Sequence, residues 1–284
     1  MHNGFKVKGS VRFVDATING NLECNNGEFI NKKGMALDCT RLNAGGDVFF
    51  NERSDDSKEK MKPFEAQGTV SFVCAEIRGY FDWLDVNSPG KLALDLRYAK
   101  VGIYRNDKES WPTAGKLQLE GFRYDSIEES DPSGISDRVG WLSRQYSKKG
   151  KSPFYPQPYE QLADVFKRIG DDKDAKKILI EKNRERSRIA NLSFSEKFWY
   201  RFFGKIIGYG YYPWRSLLVA LPLIALGCLV FDKANENGLM TPTDERAIAN
   251  TKQGISKDYP VINALVYSID TSVAFLRVSF LAKI

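Results

Sequence analysis

The segment Val70-Ser-Phe-Val-Cys-Ala-Glu-Ile-Arg-Gly-Tyr-Phe81 alternates apolar and polar side chains and carries a glycine near its end. Val11–Leu22 and Leu37–Val48 repeat this pattern, and two weaker copies begin at Leu94 and Leu117. Alternation is typical of strands, and copies spaced by about 24 residues are typical of stacked coils. The N-terminal half is therefore predicted to be a short right-handed parallel β-helix. The alternative is an antiparallel sandwich.

The repeat also predicts which side chains form the core. One inward column is expected from Phe13, Cys39, Phe72, Leu96 and Leu119, and a second from Ala16, Leu42, Ala75, Ala99 and Phe122. Arg12 and Ser71 are expected to point outward. Gly20, Gly46 and Gly79 are expected at bends that need a positive φ or a close backbone approach.

The pattern changes along the chain, and the predicted fold class is mainly β with α. The predicted segments are a β-helix repeat domain (1–130), a linker (131–157), a helical hairpin (158–192), a basic aromatic interfacial segment (193–213), a transmembrane helix (214–231), an extracytoplasmic segment (232–260) and an apolar tail (261–284) that is interfacial or a partial second span. The charged stretch Glu52–Lys62 is predicted to be a loop inserted in the repeats. The hairpin is expected to cap the β-helix or to bind a partner.

The C-terminal part of the sequence is predicted to attach the chain to a membrane. Trp214–Phe231 is an apolar run with one charge, Arg215, at its edge. Between Lys173 and Arg215 the chain has eleven Lys or Arg and four Asp or Glu, which favours anionic lipid headgroups as partner over nucleic acid. The residues expected at the membrane interface are Lys197, Trp199, Arg201, Lys205, Trp214 and Arg215. Because positive charge precedes the span and Met1–Ser10 lacks an apolar signal segment, the expected location is the bacterial inner membrane with the N-terminal domain cytoplasmic.

The sequence lacks the residues that several kinds of catalysis and metal binding require. His2 is the only histidine, which removes histidine-based catalytic triads and metal sites. The four cysteines form no CxxC pair, and those in the repeats are expected to be buried free thiols. No catalytic, cofactor or metal motif is found. Five aspartates invite comparison with carbohydrate-acting β-helix enzymes, but solvated strand edges are the expected explanation: Asp15, Asp38, Asp47, Asp82 and Asp95.

Several short sequence motifs resemble those of a known group of proteins. They include Ser110-Trp-Pro, Pro156-Gln-Pro-Tyr-Glu-Gln-Leu-Ala, Ile207-Gly-Tyr-Gly-Tyr-Tyr-Pro-Trp-Arg and Tyr267-Ser-Ile-Asp. The chain resembles bacterial membrane-associated β-helical proteins that often carry the label "membrane-associated oxidoreductase". Such proteins usually begin with more coils and end in a second clear span, so the resemblance implies a truncated or degenerate member.

These observations favour a membrane-anchored, non-enzymatic scaffold that presents a cytoplasmic β-helix to a protein partner or to further copies of itself. A first alternative is an effector or channel-like protein that oligomerises in the membrane. An oxidoreductase is implied by the family label alone.

Overall fold

The computed structural model describes residues 5–50, 63–129, 134–147, 153–189, 208–239 and 263–271, together with 193, 195, 196, 198, 200, 202 and 204. The predicted loop Glu52–Lys62 lies outside the described residues. The chain divides into two units, Met1–Gly204 and Lys205–Ile284.

The first unit contains short strands that pair only in parallel wherever the structure describes them. They are β1 (Lys6–Lys8), β2 (Val11–Arg12), β3 (Thr17–Ile18), β4 (Leu22–Glu23), β5 (Glu28–Asp38), β6 (Asn43–Ala44), β7 (Val48–Phe49), β8 (Glu65–Ser71), β9 (Glu76–Trp83), β10 (Leu92–Asp95), β11 (Lys100–Asn106), β12 (Leu117–Gln118) and β13 (Arg123–Glu129). One sheet has the order β1-β5-β8-β10-β12, and the other has the order β13-β11-β9-β6-β3. Together they form a parallel β-solenoid of about five turns, which confirms the predicted coil architecture and excludes the antiparallel sandwich.

The register of the first sheet follows the sequence repeat. The five copy starts pair in one column: Val11 with Leu37, Leu37 with Val70, Val70 with Leu94, and Leu94 with Leu117. The two predicted inward columns are buried from the second coil onward, with at most 1% exposure in either column. Phe13 and Ala16 in the first coil are only partly buried against the same core. The core prediction is therefore confirmed.

The bend after each first strand is a tight turn that the sequence did not reveal. Its third residue has a positive φ in all five coils: Asp15, Arg41, Cys74, Tyr98 and Gly121. Of the three predicted bend glycines, Gly46 and Gly79 make close approaches, since an added Cβ would lie 2.2 Å from Asn21 Oδ1 and 2.0 Å from Asp47 Oδ1. Gly20 has open space around it, so the prediction for this glycine was wrong.

Ser71 is also a correction, because its side chain is fully buried whereas that of Arg12 is exposed. Ser71 Oγ lies 3.4 Å from Thr40 Oγ1 of the preceding coil. At the same repeat position, Asp38 Oδ1 accepts hydrogen bonds from the Thr40 backbone N–H and hydroxyl at 3.2 and 2.6 Å. In these two coils the position therefore serves the turn that follows it, and its side chain does not face solvent.

Three helices close the C-terminal end of the solenoid: α1 (Ile135–Ser143), α2 (Gln157–Arg168) and α3 (Asp172–Ile189). The Gln157 side chain accepts from the Gly121 backbone N–H and donates to the Phe122 carbonyl, both at 3.0 Å. Gln161 donates to the Tyr124 carbonyl at 2.7 Å. These amides satisfy backbone groups of the last coil, so the predicted hairpin does cap this end. Helix α1 lies within the segment 131–157 that was predicted to be a linker.

The second unit requires a correction. Among the described residues, no helix is both long enough and apolar enough to cross a membrane. Trp214 and Arg215, which were predicted to open a transmembrane helix over 214–231, lie in the 3-10 turn Pro213–Ser216, and the following helix is Leu217–Glu236. Asp232 then interrupts the apolar run within that helix. The fifteen residues Leu217–Phe231 rise about 22 Å, which is short of the ~30 Å of bilayer hydrocarbon.

Candidate functional site

The helix Leu217–Glu236, called here the apolar helix, exposes large hydrophobic side chains on most of its circumference. Seven of them are between 46% and 65% exposed: Leu217, Leu218, Leu221, Leu223, Leu226, Leu229 and Val230. At 100° per residue these positions spread over about two thirds of the helix surface. The less exposed positions form one stripe over about a third of the circumference: Ala220, Ile224, Gly227, Cys228, Phe231 and Ala234.

That stripe is covered by a short helix over 264–271, which belongs to the same unit. Ser268 is 1% exposed, and its hydroxyl donates to the Ile224 carbonyl at 2.6 Å. A Cβ on Gly227 would lie 2.2 Å from Ser268 Oγ, so only glycine permits this approach. The rings of Phe231 and Tyr267 lie 6.0 Å apart and add an aromatic contact between the two helices. Small residues and one interhelical hydrogen bond are the packing devices used by helices in apolar surroundings.

Aromatic side chains and an arginine precede the apolar helix. The Arg215 guanidinium lies 4.7 Å from the Tyr212 ring centroid and 5.5 Å from that of Trp214, which is 59% exposed. Cation–π contact holds the arginine charge against the rings. Such rings have an apolar body and a polar edge, which suits the boundary between hydrocarbon and water.

The structure thus brings together two of the six predicted interface residues, Trp214 and Arg215. The other four, Lys197, Trp199, Arg201 and Lys205, lie outside the described residues. Gly227 and Ser268 were not among the predicted site residues. Their signal was present as small residues in two apolar runs, but a single glycine or serine does not indicate its partner.

The five aspartates considered for carbohydrate chemistry serve the solenoid. Asp82 is fully buried and forms an ion pair with Arg105. Asp95 pairs with Arg97 at 2.7 Å, and both Asp38 and Asp95 are 6% exposed. The remaining two are engaged as well, Asp15 with the Arg41 guanidinium and Asp47 with the Tyr80 backbone N–H at 2.8 Å. Solvated strand edges therefore do not explain three of the five, because Asp38, Asp82 and Asp95 are buried with partners.

The thiols differ from one another in exposure. Cys24 and Cys39 are buried, as predicted, but Cys74 is exposed because it occupies the positive-φ turn. Burial raises the pKa of the Cys24 thiol to about 12 and raises the pKa of Cys39 as well. His2 lies outside the described residues, and within the described ranges no group of three or more His, Cys, Asp or Glu side chains is arranged to hold a metal ion.

No protein-family model matches the chain, and no curated protein or solved structure is significantly similar to it. The resemblance to membrane-associated β-helical proteins therefore stays a prediction. The features of the chain that point to a function are the apolar helix and the aromatic residues before it.

Proposed function

We propose that this chain is a bilayer-attached, non-enzymatic scaffold that holds a rigid β-solenoid at a membrane. The observation that carries the proposal is the exposure of seven large apolar side chains around the apolar helix. A helix that is hydrophobic nearly all round belongs in a core or in lipid, and contiguous exposed apolar surface marks an interaction site.

Covering the exposed side chains of the apolar helix would contribute a substantial free energy of binding. Full burial of a leucine or valine side chain is worth roughly 1.5–3 kcal/mol, so covering the exposed halves of seven such side chains gives on the order of 5–10 kcal/mol before ordering costs. Insertion of this helix into one leaflet supplies that cover. Attachment of this kind requires the helix to enter the bilayer but not to span it. An apolar length of ~22 Å, shorter than the ~30 Å of bilayer hydrocarbon, is therefore sufficient.

Lipid is favoured over an apolar protein partner by the residues next to the helix. The Tyr212, Trp214 and Arg215 cluster provides groups suited to the headgroup level. The preceding sequence adds Lys197, Arg201 and Lys205. On α3 the cations are less available, because Lys182 pairs with Glu160 at 2.9 Å and other pairs lie along the helix. Attraction to anionic headgroups is therefore assigned to the residues just before the apolar helix.

The internal structure of the first unit supports the scaffold role. The buried carboxylates Asp38, Asp82 and Asp95 are engaged in ion pairs and turns. The core is continuous, and the C-terminal end is closed by α1–α3. A continuous core gives a stiff surface whose outer side chains hold fixed spacings. Such a body suits presentation of a binding surface better than chemistry at a reactive centre.

Vesicle flotation of the full chain tests the proposal. The chain should float with vesicles of phosphatidylcholine and phosphatidylglycerol, and less with phosphatidylcholine alone. Leu221→Glu combined with Leu226→Glu should release it, because both changes place charge on the inserted surface. Ile169→Glu is the matched control, since Ile169 is 69% exposed in the first unit. Equal flotation of the double variant and the control would contradict insertion of the helix.

A further inference from the structure

A cleft lies between α2, α3 and the segment that leads into α2, all within the first unit. Its volume is about 480 Å³, which falls within the roughly 300–1,000 Å³ of ordinary small-molecule sites. The residues that line it are Phe154, Pro156, Glu160, Lys182, Asn183 and Arg186. The cleft therefore has an apolar side, formed by Phe154 and Pro156, and a polar side with two cations and one anion.

Contacts around the cleft fix its walls. The Phe154 ring stacks on the Tyr146 ring with a centroid distance of 6.1 Å. The Tyr146 hydroxyl donates to the Tyr155 carbonyl at 3.3 Å and accepts from the Tyr155 N–H at 3.4 Å. Lys182 of α3 donates to the Glu160 carboxylate of α2 at 2.9 Å. Because these contacts hold both sides of the cleft, a ligand would have little protein to order on binding.

The cleft has one positive charge in excess, and it belongs to Arg186. The other two arginines of α3 are neutralised on the helix, Arg184 by Glu181 at 2.9 Å and Arg188 by Glu185 at 3.0 Å. Within the part of the chain that the structure describes, no carboxylate pairs with Arg186. Since the lysine and the glutamate of the cleft neutralise each other, the Arg186 charge is available to an anion.

The polar side of the cleft also presents several hydrogen-bond donors. The Arg186 guanidinium lies over the Tyr200 ring, 5.7 Å from its centroid. A guanidinium that lies over a ring keeps its edge N–H groups for a bidentate contact with an oxyanion. Asn183 is three residues before Arg186 and is therefore its neighbour on the helix surface, and its amide adds two more donors.

We propose that this cleft binds a small molecule in which an aromatic ring carries a phosphate or a carboxylate group. The oxyanion accepts hydrogen bonds from Arg186 and Asn183, and the ring packs against Phe154 and Pro156. Charge-assisted hydrogen bonds and ring packing contribute together, so neither group alone binds as tightly. The competing explanation is that Arg186 is a solvated surface residue. The inference goes beyond the membrane proposal and does not depend on it.

The test is fluorine NMR of para-fluorophenyl phosphate and para-fluorobenzoate, each titrated with the full chain. Saturable binding of at least one of them is expected. The neutral para-fluorobenzyl alcohol should bind at least tenfold more weakly. Inorganic phosphate and glycerol phosphate, a lipid-headgroup fragment, both lack a ring and should compete at least tenfold more weakly than the unlabelled aromatic anion.

Three variants locate the binding. Arg186→Gln should weaken it at least tenfold, because the charged donor is lost. Arg184→Gln is the matched control, since Arg184 is exposed on the same helix and already paired with Glu181, and it should bind as wild type does. Phe154→Leu should weaken binding of the aromatic anions, with circular dichroism to show that the fold is retained.

Four results would each overturn the proposal. Absence of saturable binding would mean that Arg186 is only a solvated surface residue. Equal binding by the Arg186→Gln and Arg184→Gln variants would place the ligand elsewhere, and undiminished binding by folded Phe154→Leu would remove the ring from the cleft. Competition by glycerol phosphate as strong as that by the aromatic anion would assign the cleft to lipid headgroups. Vesicle flotation of the Leu221→Glu and Leu226→Glu double variant tests the membrane proposal separately from all four.

Discussion

Truncation of Phe72 to alanine tests the solenoid core. The side chain is fully buried in the central coil, and its ring lies 4.9 Å from that of Phe81 and 5.9 Å from that of Phe50, edge-on in both cases. Phe→Ala changes in a core destabilise by about 3–5 kcal/mol, and loss of two aromatic partners places this one toward the upper end. A domain of ordinary stability has about 5–15 kcal/mol in total. Phe72→Asp, which buries a charge without a partner, should prevent folding.

Urea denaturation of the full chain, followed by far-ultraviolet circular dichroism, measures the effect. Arg12→Ala is the control. The Arg12 side chain is exposed, its contact with the buried Asp38 carboxylate is long at 3.5 Å, and Asp38 keeps its hydrogen bonds from Thr40, so the loss should be about 1 kcal/mol or less. A loss below about 1 kcal/mol in Phe72→Ala, equal to that of the control, would refute the assignment of Phe72 to the core.

Three further predictions concern particular contacts of the first unit. Gly102→Ala should destabilise the chain by more than about 2 kcal/mol in urea melts, because the new Cβ would lie 2.3 Å from a backbone carbonyl of the preceding coil, whereas Gly20→Ala should be neutral. Gln157→Ala should lower stability by about 1–3 kcal/mol and speed hydrogen exchange in the last coil, since two partly buried backbone groups lose their partner; unchanged exchange would contradict the cap. With a thiol reagent at pH 8, Cys74 should react fast in the native protein and Cys24 only after unfolding, because burial raises the pKa of Cys24 to about 12; rapid native labelling of Cys24 would contradict its position in the core.

The solenoid was predictable because its repeat constrains side chains directly. A strand that must bury alternate residues in each coil repeats its apolar positions, so aligning the copies also aligned Val11, Leu37 and Val70 in space. Turn geometry carries no such constraint. Asp15, Arg41 and Tyr98 share a positive φ but no chemical property, so the turn leaves no residue signature.

Burial of polar residues was missed for a related reason. Alternation counted from Phe72 places Ser71 outside, but the chain bends after this residue and the side chain is enclosed by the adjoining coil. Asp38 is enclosed at the same position, where it accepts hydrogen bonds from Thr40. Polar side chains at such bends are part of the backbone's hydrogen bonding, which periodicity does not register.

The apolar composition of the helix in the second unit could be predicted from the sequence, but its helical length could not. Pro213 was expected to start a helix at Trp214, yet it opens a 3-10 turn and the helix begins at Leu217. The predicted span already ended at Phe231, before Asp232, so the later start alone shortens the helical part of the apolar run to Leu217–Phe231. Hydropathy reports the run of residues, whereas spanning depends on the helical part of that run alone.

The most direct test of membrane attachment is the environment of the apolar helix beside a bilayer. A nitroxide at Leu226→Cys, in a chain with Cys74→Ser and Cys228→Ser, reports collisions with oxygen, which is enriched in hydrocarbon, and with a water-soluble nickel chelate. On adding anionic vesicles, collisions with oxygen should rise and those with nickel should fall at residue 226, while a nitroxide at Ile169→Cys stays accessible to nickel. If the label at residue 226 remains as accessible to nickel as the label at residue 169, the helix does not enter the bilayer and the account is wrong.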